Sequence, residues 1–247
     1  MRKKIKSAMM YPMVLMGITV LAFFGLMIFV IPQIGKIIKD LGGQDAQMPA
    51  ITSFMLGLSD FLVRYGIFVV IATVLGVGML LRWLKTPGGK AIFHNVILKI
   101  PMLNVIIQKI AVARFARTFS SLMGAGVAVL EALHVTGRAI GNVVYEKALI
   151  VAADEVKNGK TLSSVLDNNP LFPPIVAQML AVGEETGQTD MVLVKVADFY
   201  EEEVDVAIDG VSSIIEPVMI LIMGSMVGLI AASVMTPIAG LAQNIKS

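Results

Sequence analysis

The sequence predicts an all-α polytopic membrane protein with three transmembrane helices and one cytoplasmic helical-bundle domain of about six helices. Three observations predict it. Three apolar runs are each long enough to cross the hydrocarbon core of a bilayer. The stretch between the second and third runs holds most of the charge and breaks into amphipathic pieces at helical spacing. No alternating strand pattern bounded by turns occurs anywhere in the 247 residues. The composition agrees, with 56% hydrophobic residues, 15% charged residues and a mean hydropathy of +0.81, against about 25% charged in ordinary soluble domains. A disordered chain, a collagen and an ordinary soluble domain are excluded. With no Cys there is no disulfide framework, thiol nucleophile or cysteine metal site. Two histidines, His94 and His134, leave little room for metal or acid–base chemistry, and a net charge of +2 supplies no field for nucleic acid.

The first span is expected over residues 12–32. Its run from Pro12 to Ile31 has no charge, and twenty helical residues rise about 30 Å. A signal peptide has a shorter apolar core, about 7–15 residues, ending at small residues. The second span falls over residues 61–82, with Arg64 one turn inside and able to snorkel to the interface. The third lies within residues 211–237. It holds Gly224, Gly228 and Ala232 at spacing four, a smooth face that lets another helix approach closely in lipid. Residues 33–60 are then an external loop, 83–210 a cytoplasmic domain and 238–247 an external tail. Charge sets this orientation. Arg2, Lys3, Lys4 and Lys6 precede the first span, and Arg82 to Arg117 holds seven bases and no acid. Both sides so marked belong in the cytoplasm, as does the N-terminus.

Within the cytoplasmic domain, Val112, Phe115, Phe119 and Leu122 recur at helical spacing until Gly124-Ala125-Gly126 stops the helix. A second helix runs over about 129–140. Gly141-Asn142 breaks the chain and caps a third over 143–157. Thr161 caps a short fourth, which Asn168-Asn169-Pro170 ends. Phe172-Pro173-Pro174 opens a fifth, and Thr186-Gly187 closes it. The sixth places Leu193, Ala197, Tyr200, Val204, Ile208 and Val211 along one stripe and Glu201, Asp205 and Asp209 along another. Nothing separates it from the third span, so the two are expected to be nearly continuous. Pro87-Gly88-Gly89-Lys90 reads as a turn after the second span.

The chain carries an echo at an offset of 205 residues: Pro12 and Pro217 open the first and third spans, Pro32 and Pro237 close them, twenty residues apart in both. A shared origin for the two spans implies that residues 1–11 are the end of a missing N-terminal cytoplasmic domain like 83–210.

Several residues stand out as polar candidates. Gly183-Glu184-Glu185-Thr186-Gly187 is read as a cap with an inter-helix polar role, because adjacent helix residues point in different directions and make no acid–base dyad. Residues 184–216 hold ten of the eighteen acids and one base, Lys195. Three readings stay open for that cluster, which includes Glu201 and Asp205. It is a solvated face complementing Arg114, Arg117 and Arg138, a docking stripe for a basic partner, or a divalent-cation site. Glu216, beside Pro217 at the mouth of a span, is either placed at the aqueous boundary or a polar anchor toward another helix. No phosphate-cradling loop, HExxH or other catalytic set is present, so no enzyme activity and no cofactor are expected.

The run MLAVGEETGQTDMVLVKVADFYEEEVD resembles the GEESG-type signature of the PilC/GspF inner-membrane platform proteins of type IV pilus and type II secretion machines. SSIIEPVMILIMGSMVG, RFARTFSSLMGAGVAVLEAL and MMYPMVL are similar to the family's last span, its repeated cytoplasmic domain and its first span. MPAITSFMLGLSDFL looks more like the pilus branch. Departures are GEETG itself, the MTPIA ending and Asn104 after the IPML run. The resemblance implies a non-enzymatic platform in the bacterial inner membrane, coupling a cytoplasmic assembly ATPase to pilin or pseudopilin transmembrane helices. It further implies contact with inner-membrane alignment proteins and self-association. The alternative from another class is a small transporter or channel subunit.

Overall fold

The structure, a computed structural model, describes residues 2–42 and 50–244. In chain order the helices are α1 (Arg2–Gly25), a π-helical turn (Leu26–Val30), α2 (Ile31–Gly42), α3 (Ala50–Leu84), α4 (Pro87–Ile97), α5 (Pro101–Gly124), α6 (Val129–Ile140), α7 (Val143–Lys157), α8 (Leu162–Asp167), α9 (Pro174–Thr186) and α10 (Thr189–Asn244). No strand occurs among the described residues. Among the described residues three helical stretches, Met13–Ile37, Ala50–Leu84 and Thr189–Ser233, are long and apolar enough to cross a membrane. The chain divides into a helical unit, Leu80–Asp209, and a membrane unit, Arg2–Met79 with Gly210–Ser247.

The helical unit closes over one core. Phe115 and Phe119 of α5 stack with ring centroids 5.5 Å apart, and Phe172 meets both Phe115 and Tyr145 edge-on. Leu133, Leu149, Leu166, Val176, Leu180 and Leu193 complete a dry centre fed by α5 through α10. Aromatic pairs of this kind add about 0.5–1.5 kcal/mol beyond the area they bury. The turns follow the punctuation of the sequence. Gly126, Gly141 and Gly187 take positive φ (76°, 77° and 68°), where a Cβ would be strained. Asn142 Oδ1 accepts from the Val144 N–H at 2.9 Å and starts α7, and Thr161 does the same for α8.

In the membrane unit, Met27, Ile31 and Met55 are buried together, with Phe23, Leu56, Leu62 and Ile230 against them. The polar contacts follow from two prolines. Ile31 N–H bonds to the Leu26 carbonyl, five residues back. The Met27 carbonyl would therefore need residue 32 as its donor, and Pro32 has no N–H. Ser59 of α3 supplies the missing proton, its hydroxyl donating to the Met27 carbonyl at 2.5 Å. In α10 the α-helical donor for the Ser233 carbonyl would be Pro237, which again has none. Thr52 of α3 donates its hydroxyl there at 2.9 Å. Both hydroxyls are buried and seven residues apart, two turns along one face of α3. An unsatisfied carbonyl in lipid costs several kcal/mol, so these two side chains answer a requirement the prolines create.

Four expectations change. Residues 33–42 and 50–60, expected within a loop, are helical, so α3 begins eleven residues before the anticipated start of the second span at 61; residues 43–49 lie outside the described residues. α10 runs to Asn244, so the helix continues into residues 238–244, expected as a tail. The first span is interrupted by the π-helical turn, because Pro32 removes a donor. The expected turn at Pro87 is the start of an additional helix, α4. Thr86 is its N-cap, accepting from Gly89 N–H at 3.1 Å, and Pro87 occupies the first turn, where a missing N–H costs nothing. Gly89 is required there, since a Cβ would lie 2.1 Å from the Trp83 carbonyl oxygen.

Candidate functional site

The polar features of the helical unit gather at two places. The first is the α9–α10 corner. Gly183 lets the chain turn back on itself, because a Cβ there would approach the Thr189 Cα to 2.8 Å. Gly187 ends α9 in the left-handed conformation. Between them the paired acids part company. Glu184 reaches α8, accepting from Leu162 N–H at 2.8 Å and Ser163 N–H at 3.3 Å, and from the Ser163 hydroxyl. A carboxylate thus covers the free amides of a helix start, where the partial positive charge favours it. Glu185 is exposed. The corner ties α8, α9 and α10 together.

The second place is the α5–α10 seam. Arg117 Nε donates to Glu201 at 2.9 Å and its Nη2 to Asp198 at 2.5 Å. Lys109 Nζ meets Glu203 at 2.6 Å. Hydrogen bonds to Glu201 and Asp198 push the Arg117 guanidinium still further above its ordinary range. Both partners of the Arg117 pairs are more than a third exposed, so each of these pairs contributes on the order of 0.5 kcal/mol rather than the larger value of a buried pair. Their geometry sets the register of α10 against α5. Arg114, one turn earlier, donates to the Ile140 carbonyl at 2.8 Å at the end of α6. It lines a cleft with Phe93, His94, Ile97 and Asn142. His94 Nδ1 accepts from Val143 N–H at 3.1 Å, and burial followed by the nearby Lys90 lowers its pKa.

Asp205 is half-buried on α10 one turn beyond Glu201, while Glu216 and Pro217 are exposed. Gly224 and Gly228 are exposed, and among the described residues no other helix brings an atom within 4 Å of a Cβ at either. Met223, Met226, Val227 and Ile230 turn instead toward Ile18, Thr19, Ala22 and Phe23 of the first span, across a groove of about 170 Å³. Among the described residues no group of three or more His, Asp and Glu side chains converges to hold a metal ion. Sequence reasoning missed Ser59 and Thr52, and it named His94 and the acidic cluster that holds Glu203 without their partners. Only the two prolines, each leaving a carbonyl without a donor, signalled the first two.

The profile of the family described as type II secretion system (T2SS), protein F, matches residues 115–237. The type IV pilus assembly protein PilC of Thermus thermophilus is 37% identical over 240 residues, covering 96% of this chain and 58% of the relative. PilC of Myxococcus xanthus is 34% identical over 247 residues, 100% of this chain and 58% of the relative. Type II secretion system protein F of Aeromonas hydrophila is 30% identical over 238 residues, 96% of this chain and 61% of the relative. The chain thus spans about three-fifths of the length of these relatives, and the pilus proteins stand somewhat nearer to it than the secretion protein. On the matched profile and on similarity along nearly its whole length, the chain belongs to the PilC/GspF family of pilus assembly and type II secretion proteins.

Proposed function

We propose that the chain works as a non-enzymatic inner-membrane platform on which a type IV pilus, or the related secretion pseudopilus, is assembled. The helical unit faces the cytoplasm and meets an assembly ATPase; the spans meet pilin transmembrane helices and a second copy of the chain. The observation that carries the reading is α10. One helix of 56 residues begins at the Glu184 corner, runs along the Arg117–Glu201 seam and continues into the third apolar span. A load applied to the helical unit therefore has a continuous helical path into the membrane, with one backbone hydrogen bond omitted at Pro217. Similarity to pilus assembly proteins over 96% or more of the chain supports the same role. Gly224, Gly228 and Ala232 are assigned to contact between membrane helices of different chains. Glu201 and Asp205 are assigned first to the internal seam and its flank.

The test is assembly in cells. A strain lacking the native gene is complemented with its full-length product carrying photo-reactive residues at exposed positions of the helical unit and of the spans. Crosslinks to the ATPase from the first set and to pilin from the second, with restored surface filaments, support the platform. Filaments that form normally without the gene contradict it.

A further inference from the structure

α3 ends at Leu84 and α4 begins at Pro87, so α4 starts within a few ångströms of the end of an apolar span. His94 fixes which side of α4 turns inward. Its Nδ1 is held by Val143 N–H, and His94 and Ile97 line the cleft facing α5 and the α6–α7 turn. Ile92 and Val96 are left pointing outward, 53% and 54% exposed, and Phe93, which also lines that cleft, is still 43% exposed. Ile100 and Leu103, at the turn into α5, carry the patch onward and are exposed as well. Trp83, the only tryptophan of the chain, is exposed just before α4. Arg82, Lys85, Lys90 and Lys99 are exposed around this patch, with no acid from Arg82 to Arg117. The core of the helical unit does not use these apolar residues, and a contiguous patch of this kind on a folded unit marks a contact surface.

We propose that α4 and the turn into α5 form an interfacial foot lying in the headgroup layer of the bilayer that α3 enters, and that its partner is a membrane surface carrying anionic lipid. Ile92 and Val96 enter the boundary of the acyl chains. Lys85, Lys90 and Lys99 meet lipid phosphates. An apolar face with a basic rim and a neighbouring Trp is the composition of an interfacial helix. A bilayer supplies both apolar and anionic chemistry at the distance fixed by the covalent link to α3, whereas a protein partner would have to bring a greasy, acidic surface to the same place. The foot holds the helical unit at a set height over the membrane, and its grip depends on lipid charge, an attraction that fades within a Debye length. The inference goes beyond the platform role and does not depend on it.

The chain has no cysteine, so single-cysteine variants carry one label each. The full chain is reconstituted in phosphatidylcholine vesicles with and without phosphatidylglycerol, spin-labelled at Val96→Cys, at Ile92→Cys or, as a control, at Asp154→Cys. Collisions with oxygen, which partitions into lipid, are compared with those of a water-soluble nickel complex. Labels at Val96 and Ile92 are expected to favour oxygen several-fold over the Asp154 label, and to sink deeper when phosphatidylglycerol is present. The combined Lys85→Gln, Lys90→Gln and Lys99→Gln variant should lose that dependence on phosphatidylglycerol. Nickel-accessible labels at Val96 and Ile92 in both lipids would overturn the proposal. So would labels shielded from both reagents, which would mean a protein cover, or a depth indifferent to phosphatidylglycerol and to the lysine changes. The readout does not involve filament assembly, so its failure is distinct from failure of the platform reading.

Discussion

Glu184 shows how much a single side chain decides in the helical unit. Its carboxylate caps α8 from a different helix, so it stabilises a six-residue element too short to hold itself. Glu184→Ala is expected to lower the stability of the helical unit by about 1–2 kcal/mol, the cost of losing a cap and leaving amides unpaired. Glu184→Gln, which keeps an acceptor oxygen, should lose less; thermal melting of the full chain followed by far-ultraviolet circular dichroism measures both. The sequence pointed to a cap in this motif, but the spatial partner, α8, could not be read from it because it lies 22 residues away in the chain. His94 was read as unremarkable, and its hydrogen bond gives it a pH response. Its imidazole accepts through Nδ1, and its folded pKa lies below the ordinary value of about 6.5 because of burial and then Lys90. The unfolded chain therefore binds a proton at higher pH than the folded one. The contribution is complete above about pH 6.5 and is lost as pH falls through and below that value. Wild type should show a falling melting temperature over that range. Part of the slope should vanish in His94→Gln, and an unchanged slope would remove His94 as its source.

At the scale of elements, amphipathic periodicity and caps made α5 to α10 legible, because each has an apolar stripe and a Gly, Asn or Pro at its end. α4 was not legible, since Pro-Gly-Gly states a turn in isolation and becomes a helix start only beside Thr86 and the Trp83 carbonyl. The proline-freed carbonyls are the other hidden feature. Both spans of the internal echo end in a proline, and α3 meets each freed carbonyl with a hydroxyl. Ser59→Ala is expected to destabilise the membrane unit by about 0.5–1.5 kcal/mol, the range for hydrogen bonds between membrane helices. In a Pro32→Ala background the chain regains its own N–H donor, so Ser59→Ala should become nearly neutral. A double-mutant cycle in detergent with equal Ser59→Ala effects in both backgrounds would separate the hydroxyl from the proline. Gly228 makes a third element-level case. Because a Cβ there meets no other helix among the described residues, Gly228→Leu should leave insertion and folding of the single chain intact. Its effect is expected on self-association and filament number, read by disulfide crosslinking of engineered cysteine pairs on that face. Unchanged crosslinking and assembly would assign the face to lipid.

At the scale of the whole molecule, hydropathy and charge carried the architecture into view before any contact was known. Apolar length marks a span regardless of what packs beside it, and the excess of bases after the second span is the ground on which the cytoplasmic side is proposed. Tertiary pairings such as Arg117 with Glu201, 84 residues apart, carry no such local signal. The platform account stands on the helical unit lying in the cytoplasm, where an assembly ATPase can reach it. The most direct measurement is labelling of single cysteines in intact bacterial cells by a membrane-impermeant maleimide, with Asn158→Cys in the helical unit and Asp40→Cys at the end of α2. The expected result is protection at position 158 until the inner membrane is opened, and labelling at position 40 once the outer membrane alone is permeable. Labelling of position 158 with the inner membrane sealed, and protection of position 40, would contradict the account.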